Sequence, residues 1–390
     1  MTLSTPMLVA APLLAGLMGP ALLGAAPGTR QADGPVTTPV HTTERTRVVE
    51  HVAARTAAEQ QRVLEYWTPQ RMAKALPIDL LDIVTDGERL LDGERLLDGL
   101  PGGAALSRSA QQLVDVDAAA KIGDKRVGLA QRVPREAPLV LPRTAASKLP
   151  MPSRQAAAKP DATTIGARWN TGGAVARTTG RVFMTVGGAD FVCSASTIRS
   201  ANKDVVVTAG HCVKDGAGEW AANWTFVPGY GARGEHPYGR YAARRMFVAE
   251  PWSREANDDY DVAMVALATS GGRHVADVVG AQEISFNAPR GGQAFGFGYP
   301  ADPPYNGGHL VYCAGRLKDD PHGQTRDQGL GCDMTAGSSG GPWLTGFDVS
   351  TGKGTITSLS SFKYSDDRRT MYGPYLGDAA KTLFTAAQRA

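Results

Sequence analysis

The chain has 390 residues, of which 42% are hydrophobic, 20% are charged and 46 are glycine, and its formal net charge is +3. This length and apolar content allow two or three domains with a sizeable core, and the many glycines favour loop-rich β-structure over a helical bundle. The small net charge and the lack of a dense Lys/Arg run exclude an extended basic surface. We therefore expect no nucleic-acid partner.

Residues 1–28 have the character of a signal peptide. No charged side chain occurs from Met1 to Thr29, and 7–23 is apolar apart from its glycines and prolines. This stretch is short for a membrane span, and the small residues Gly24-Ala25-Ala26 suit signal peptidase, although the usual basic start is missing. We expect a secreted, extracellular protein without stable membrane association. The alternatives are an uncleaved anchor or a disordered tail.

Residues 29–164 form a region of different character. Residues 44–67 carry apolar side chains among charged ones, a pattern that predicts a helix. Between Pro134 and Pro160 six prolines occur among Ala, Arg and Ser, a composition that cannot pack a core and predicts an exposed linker. We expect this region to be partly helical or disordered.

After about residue 165 short apolar runs alternate with Gly, Pro and Asn clusters, which predicts an all-β domain over 165–390. The predicted strands are 181–186, 191–198, 205–209, 262–267, 293–297 and 355–359. Apolar residues at helical spacing in 377–390 predict a C-terminal helix.

All four cysteines lie in this domain, and none belongs to a C-x-x-C pair, so we expect no metal site. Of the three possible pairings, the economical one joins Cys193 to Cys212 and Cys313 to Cys332. Each bridge stabilises the fold by roughly 3 kcal/mol and implies an oxidising compartment.

His211 is the first candidate for catalysis. It lies in Thr208-Ala209-Gly210-His211-Cys212, directly after the apolar run of 205–207. A histidine at the end of a strand can be held in one orientation, as a general base requires, and a bridge from Cys212 pins the turn. The alternative is a buried histidine with a purely structural hydrogen bond.

Ser339 is the candidate nucleophile, in Gly337-Ser338-Ser339-Gly340-Gly341. A serine hydroxyl needs a base to remove its proton and donors to receive the developing oxyanion. Flanking glycines allow a sharp turn, and we assign the oxyanion hole to the amides of Gly337 and Ser339. The alternative is a flexible Gly/Ser turn.

Asp261 is the acid expected to orient His211, because it precedes the apolar strand 262–267, whereas Asp258 and Asp259 are typical of a solvated loop. The glycines around Ser339 also fit the α/β-hydrolase pattern, but that fold needs a histidine after the serine, and none follows. The subtilisin order needs Asp before His. His, then Asp, then Ser is the chymotrypsin order.

The segments TAGHC, DVAMV and GSSGGP resemble the three signature segments of the chymotrypsin/trypsin family, in particular secreted trypsin-like peptidases of actinobacteria. The resemblance covers about 165–390, and 65–72 resembles a segment found ahead of the protease domain in such proteins. It implies two six-stranded antiparallel β-barrels, with His211 and Asp261 on the first and Ser339 on the second. It further implies a monomeric serine endopeptidase that forms an acyl-enzyme on protein or peptide substrates without a cofactor. Residues 29–164 are then a pro-region that acts in cis.

Two positions depart from the family pattern. Many members carry Asp just before the nucleophile, where it receives the new amino terminus after zymogen cleavage, but here that residue is Ser338. We expect activation by removal of the upstream segment alone. Asp333 is the candidate acid of a pocket for Arg or Lys, although the position of Cys332 indicates an insertion and allows a rim aspartate instead.

Further substrate-binding candidates lie downstream. Ser358 and Ser360 are expected on the strand that pairs with the substrate backbone, and Tyr372 on the pocket wall. Two other functions stay open: a catalytically silent protease-fold binding module, and a cell-surface protein that uses the proline-rich stretch as a stalk.

Overall fold

The computed structural model describes residues 46–78 and 160–390. The expected signal peptide, most of the pro-region and nearly all of the proline-rich linker lie outside these residues. In chain order the strands of the described residues are β1 (Val48–Val52), β2 (Leu76–Pro77), β3 (Thr164–Arg168), β4 (Thr179–Val186), β5 (Ala189–Thr197), β6 (Val205–Thr208), β7 (Ala222–Pro228), β8 (Tyr241–Ala249), β9 (Ala263–Leu267), β10 (Glu283–Ile284), β11 (Gln293–Gly298), β12 (Val311–Arg316), β13 (Lys318–Asp319), β14 (Gln328–Gly331), β15 (Pro342–Asp348), β16 (Lys353–Leu359), β17 (Phe362–Tyr364) and β18 (Asp367–Gly373). The helices are α1 (Ala57–Tyr66), α2 (Pro69–Lys74), α3 (Gly173–Thr178), α4 (Glu250–Glu255), α5 (Val275–Val279) and α6 (Asp378–Ala387), with a 3-10 turn at Asp258–Tyr260.

The first lobe is a closed antiparallel barrel of six strands, β4 to β9, in the order β4-β5-β6-β9-β8-β7. Its strands are rich in valine, phenylalanine and methionine, and cross-strand pairs such as Phe183 with Val192 and Val206 with Val265 are fully buried. Branched and aromatic side chains pack well on a pleated surface, and closure removes the free strand edges. The expected all-β fold with a six-stranded barrel is confirmed.

The second lobe consists of two sheets. The larger has the order β10-β16-β15-β11-β12-β3, and the smaller has the order β13-β14-β18-β17. Buried side chains from both sheets, among them Leu330, Trp343 and Met371, form one apolar cluster between them. The strands of this lobe are therefore not paired as one continuous six-stranded barrel. Strands β13, β14, β18 and β17 pair only with one another and form the smaller sheet.

Residues 46–78, here called the N-terminal segment, correct one prediction. A helix was expected over 44–67, but Val48–Val52 is a strand that pairs antiparallel with β8, and helix α1 covers only the second half. The branched valines favour the strand, and the helix starts where Thr56 and Glu59 form a capping box.

The predicted C-terminal helix is confirmed as α6, which buries Ala380, Leu383 and Ala387 against the first lobe. Its apolar residues recur at three and four positions, so one face packs while the other meets solvent. Within the described ranges, no helix is long and apolar enough to cross a bilayer.

Candidate active site

The pairing of β6 with β9 brings His211 and Asp261 together. Thr208 at the end of β6 lies opposite Ala263 at the start of β9, so the residues just beyond these two ends share one edge of the barrel. The backbone N–H of His211 donates to Asp261 Oδ1 at 2.8 Å, and its ring Nδ1 lies 2.8 Å from Oδ2. Because an ionised carboxylate only accepts, Nδ1 carries the proton and Nε2 has the free lone pair.

The carboxylate of Asp261 is completely buried, and three hydrogen bonds hold it. Burial alone opposes its ionisation, but the electrostatic attraction and hydrogen bonds of His211, with the hydroxyl of Ser361, outweigh burial and keep the pKa of Asp261 below its ordinary value. Ser361 donates to Asp261 Oδ2 at 2.5 Å. The acid is thus charged and fixed in orientation.

The ring of His211 is 4% exposed, and no described residue forms a hydrogen bond with its Nε2 atom. A buried ring nitrogen without a partner is uncommon, since buried polar atoms are almost always paired. The turn that carries the ring contacts the Ser339 loop, because Cys212, the next residue, has its Sγ 3.6 Å from the carbonyl oxygen of Ser339.

Ser339 lies in a tight loop held by the first lobe. Its carbonyl accepts from the backbone N–H of Ser194 at 2.8 Å, and the Ser194 hydroxyl donates to the carbonyl of Gly337 at 2.9 Å. Gly340 has φ = +80°, and a Cβ there would collide with Thr208 Oγ1 and the Ser194 carbonyl. Only glycine therefore fits after Ser339, because the backbone is left-handed and the neighbouring strands touch it.

The Gly337 amide, expected to stabilise an oxyanion, has a contact of its own. Gly337 has φ = +90°, and a Cβ there would lie 3.0 Å from Ala301 Cβ. Its N–H donates at 3.4 Å to the carbonyl of Ile78, the last described residue of the N-terminal segment. The hydrogen-bond partner of this amide therefore belongs to the N-terminal segment and not to the Ser339 loop.

Both predicted disulfides are present. Cys193–Cys212 ties β5 to the turn of His211, with the two Cα atoms 6.2 Å apart. Cys313–Cys332 ties β12 to the chain just after β14, with the Cα atoms 5.3 Å apart. Each bridge thus fixes a loop that leads into the site.

A cavity of about 350 Å³ opens beside Ser339. Its lining residues are Asp302, Pro303, Asp333, Met334, Thr335, Ala336, Ser338, Ser339, Ser361, Phe362, Lys363, Arg368, Arg369 and Met371. Asp333 lines this cavity, but its Oδ1 accepts from the hydroxyl of Tyr305 at 2.6 Å. Burial, together with the neighbouring Asp333, raises the pKa of Tyr305, so the phenol stays protonated and keeps donating.

The side chains of the other substrate-binding candidates make internal contacts. The hydroxyl of Ser358 donates to the carbonyl of Pro374, and that of Ser360 accepts from the indole N–H of Trp343. Tyr372 stacks on Phe362 with ring centroids 5.4 Å apart. None of Ser358, Ser360 and Tyr372 is among the cavity-lining residues.

Two functional positions were missed by sequence reasoning. Ser361 contacts Asp261 and lines the cavity, and Ser194 holds the Ser339 loop from the other lobe. Serine is common in β-domains, and the run Ser358-Leu359-Ser360-Ser361 contains three serines. Which of them faces Asp261 depends on the strand register. Ser194 carries no sequence signal beyond its place after Cys193.

Two solved structures to which this chain is similar are proteases. The crystal structure of protease Anisep from Arthrobacter nicotinovorans is 40% identical, and the match covers 55% of this chain and 96% of that one at a TM-score of 0.53. A thermostable serine protease, AL20, from an extremophilic microorganism is 39% identical, and the match covers 56% of this chain and 99% of that one, also at 0.53. The two-lobed fold and these matches define a serine endopeptidase.

The model of the Trypsin family matches residues 170–375, more than half of the chain. A curated relative, the extracellular metalloprotease of Bacillus subtilis strain 168, is 30% identical over 104 residues. That match covers 27% of this chain and 33% of the relative, so the chain spans about a third of the relative's length. The chain belongs to the trypsin family.

Proposed function

We propose that the chain is a secreted endopeptidase that hydrolyses peptide bonds through His211, Asp261 and Ser339. The observation that carries the proposal is the state of the His211 ring. Its Nδ1–H is held by a buried, charged carboxylate, no described residue pairs with its Nε2 atom, and the neighbouring Cys212 contacts the Ser339 loop. An imidazole prepared in this way is suited to accept one proton, that of a nearby hydroxyl.

The chemical steps follow from this arrangement. The Ser339 hydroxyl attacks the peptide carbonyl carbon as His211 Nε2 takes its proton, and the new oxyanion meets the amides of Gly337 and Ser339. The tetrahedral intermediate collapses, His211 gives the proton to the leaving amine, and an acyl-enzyme remains. Water, deprotonated by His211, then releases the acid. Asp261 stays ionised and stabilises the imidazolium that forms at each stage.

The domain organisation is part of the proposal. Residues 1–28 are the signal peptide, 29–164 the pro-region and linker, and 165–390 the peptidase domain. Strand β3, which lies on the edge of the second lobe, supports a domain boundary close to residue 165. The two disulfides suit an extracellular location, because such bonds persist in oxidising compartments.

The decisive experiment is labelling with a fluorophosphonate, which reacts with a serine only when a base and an oxyanion hole activate it. The secreted protein should be labelled, and peptide mapping should find the adduct on Ser339. Ser339→Ala and His211→Ala should remove the label, whereas Ser350→Ala, in an exposed turn, should keep it.

The alternative, a silent binding module, predicts a different outcome. A folded, secreted protein that takes no label, or takes it equally in Ser339→Ala, contradicts the proposed endopeptidase. Near-wild-type thermal unfolding of Ser339→Ala distinguishes lost chemistry from lost structure.

A further inference from the structure

The cavity beside the nucleophile has an apolar floor, formed by Met334, Phe362 and Met371. These three lining side chains are at most 4% exposed, and they come from three separate segments of the second lobe. The lining residues that are both charged and exposed lie at the mouth of the cavity, and they are Asp302, Arg368 and Arg369. Methionine thioethers adapt to side chains of different shape. The floor therefore offers a substrate apolar contact and no charge.

Asp333 also lines the cavity, but its carboxylate is held against strand β3. Its backbone N–H donates to the carbonyl of Ile165 at 2.6 Å, and its Oδ1 accepts from the hydroxyl of Tyr305 at 2.6 Å. A Cβ added to Gly166 would collide with the same Oδ1, so this oxygen lies directly against the backbone of β3. One carboxylate oxygen of Asp333 is thus already paired with a donor of its own chain.

Lys363 places a positive charge of the protein near the same acid. Its Nζ donates to the carbonyl of Cys332, the residue before Asp333, at 2.8 Å, and to the carbonyl of Arg368 at 2.6 Å. A lysine or arginine side chain of a substrate that entered the cavity would lie close to this like charge. A glutamate side chain would instead lie close to Asp333. Neither sign of charge is therefore favoured inside the cavity.

From these contacts we infer that the peptidase selects a large apolar residue at P1, the residue whose carbonyl is attacked, and that Tyr305 is a positioning residue that keeps Asp333 away from substrate cations. The inference rests on the proposed function, because it names the substrate class of the same site. A cavity of about 350 Å³ accommodates the side chain of Phe, Tyr, Leu or Met. Such a side chain gains free energy when it leaves water, whereas a buried arginine needs a partner for its charge.

The test uses the processed enzyme and peptide amides that differ only at P1, with the active fraction counted by fluorophosphonate labelling of Ser339. With Phe or Leu at P1, kcat/KM should exceed the values for Arg, Lys and Glu by about a hundredfold or more. Tyr305→Phe removes only the hydroxyl that holds Asp333. It should raise the Arg-to-Phe ratio of kcat/KM about tenfold, and adding Asp333→Asn should cancel this gain. Tyr375→Phe is the matched control and should keep the wild-type ratio, because that ring lies on Arg290 and does not line the cavity.

Each outcome decides a different claim. A wild-type preference for Arg or Lys that Asp333→Asn abolishes would show that the acid binds substrate cations, and a preference for Glu would assign selection to the cations of the cavity; either result overturns the inference. An unchanged ratio in Tyr305→Phe, or a gain that persists in the double variant, would show that Tyr305 does not act through Asp333. If Ser339 takes no label and none of the amides is hydrolysed, the proposed function itself fails.

Discussion

The hydroxyl of Ser361 donates to the carboxylate oxygen of Asp261 that also faces His211 Nδ1. Ser361 belongs to the second lobe and Asp261 to the first, so this 2.5 Å bond joins the two lobes directly behind the imidazole. A fixed donor there strengthens the preference of Asp261 for its charged form and sets the direction in which its oxygens point.

Ser361→Ala should therefore slow catalysis through Asp261. Loss of a hydrogen bond to a charged group costs about 1.5 kcal/mol, which is roughly tenfold in kcat. The pKa of Asp261 should rise toward its ordinary value, so the pH profile of stability should fall at a higher pH on acidification than in the wild type. Ser360→Ala is the matched control: it removes a hydroxyl bonded to Trp343 and should leave the pH profile in place. An unchanged profile in Ser361→Ala would show that the bond does not act on the acid.

Asp327 is expected to destabilise the folded protein near neutral pH. Its side chain is buried, and no described residue forms a hydrogen bond with either carboxylate oxygen. Burial, followed by the charge of nearby aspartates with Asp259 foremost, raises its pKa well above the ordinary value. At low pH Asp327 is protonated in both the folded and the unfolded protein and costs no stability. As pH rises above the ordinary carboxyl pKa, the unfolded chain ionises first, so the stability of the folded protein falls until the pH passes the raised folded-state pKa.

Asp327→Asn should accordingly raise the melting temperature at pH 8, by about 3 °C for each kcal/mol gained, and should give little gain at pH 4. Thermal unfolding is best measured in the Ser339→Ala background, where self-cleavage cannot interfere. Asp366→Asn, on an exposed turn, serves as the control and should show no such difference between the two pH values. Equal gains at both pH values would point to packing rather than ionisation.

Gly340→Ala should disrupt the nucleophile loop. At this residue a Cβ meets Thr208 and Ser194, whereas at Gly346, also left-handed with φ = +56°, it meets nothing within 4 Å. We expect Gly346→Ala to lose about 1 kcal/mol of unfolding free energy with full activity, since it carries only the backbone cost. Gly340→Ala adds the collision and should lose roughly 3 kcal/mol and most of its activity. Chemical denaturation and ester hydrolysis of the two variants separate the cost of the left-handed backbone from the cost of the collision. Equal losses of unfolding free energy and activity in both variants would contradict the steric argument.

Blocking the α-amino group of the processed enzyme should leave its activity intact. Ser338 is uncharged and buried, and its hydroxyl donates to the carbonyl of Thr335 at 2.7 Å, so its bond is made within the loop. No carboxylate stands there to receive an ammonium group. Acetylation of the new amino terminus should change kcat/KM by less than about twofold, an amount below 0.5 kcal/mol. A large loss would indicate an amino-terminal ion pair elsewhere.

Sequence alone predicted the parts of the site that carry a local signal. His211, Asp261 and Ser339 each stand in a short segment whose neighbours restrict the backbone, and chain order selected the fold among three alternatives. The strands that alternate polar and apolar residues were harder: β7 and β8 contain Asn223, Arg244 and Arg245, and no strand was predicted there. Pairing partners, not local composition, determine those strands.

The remaining errors have the same origin. Val48–Val52 was predicted as part of a helix because valine spacing fits both periods. It forms a strand because β7 pairs only with the start of β8, which leaves 245–249 to pair with it. The substrate strand was placed at Ser358 and Ser360, whereas the cavity is lined by Ser361 to Lys363, because register depends on contacts between distant segments. Ser194 acts through the fold alone, so no motif could identify it.

Ser194 couples the position of the Ser339 loop to the relative position of the two lobes. Its amide holds the carbonyl of Ser339, its hydroxyl holds that of Gly337, and the same hydroxyl accepts from the N–H of Tyr299. A hinge movement that parts the lobes by the length of a single bond displaces the nucleophile before it exposes any core. Heat or denaturant should thus abolish the catalytic activity while most of the β-structure is still intact.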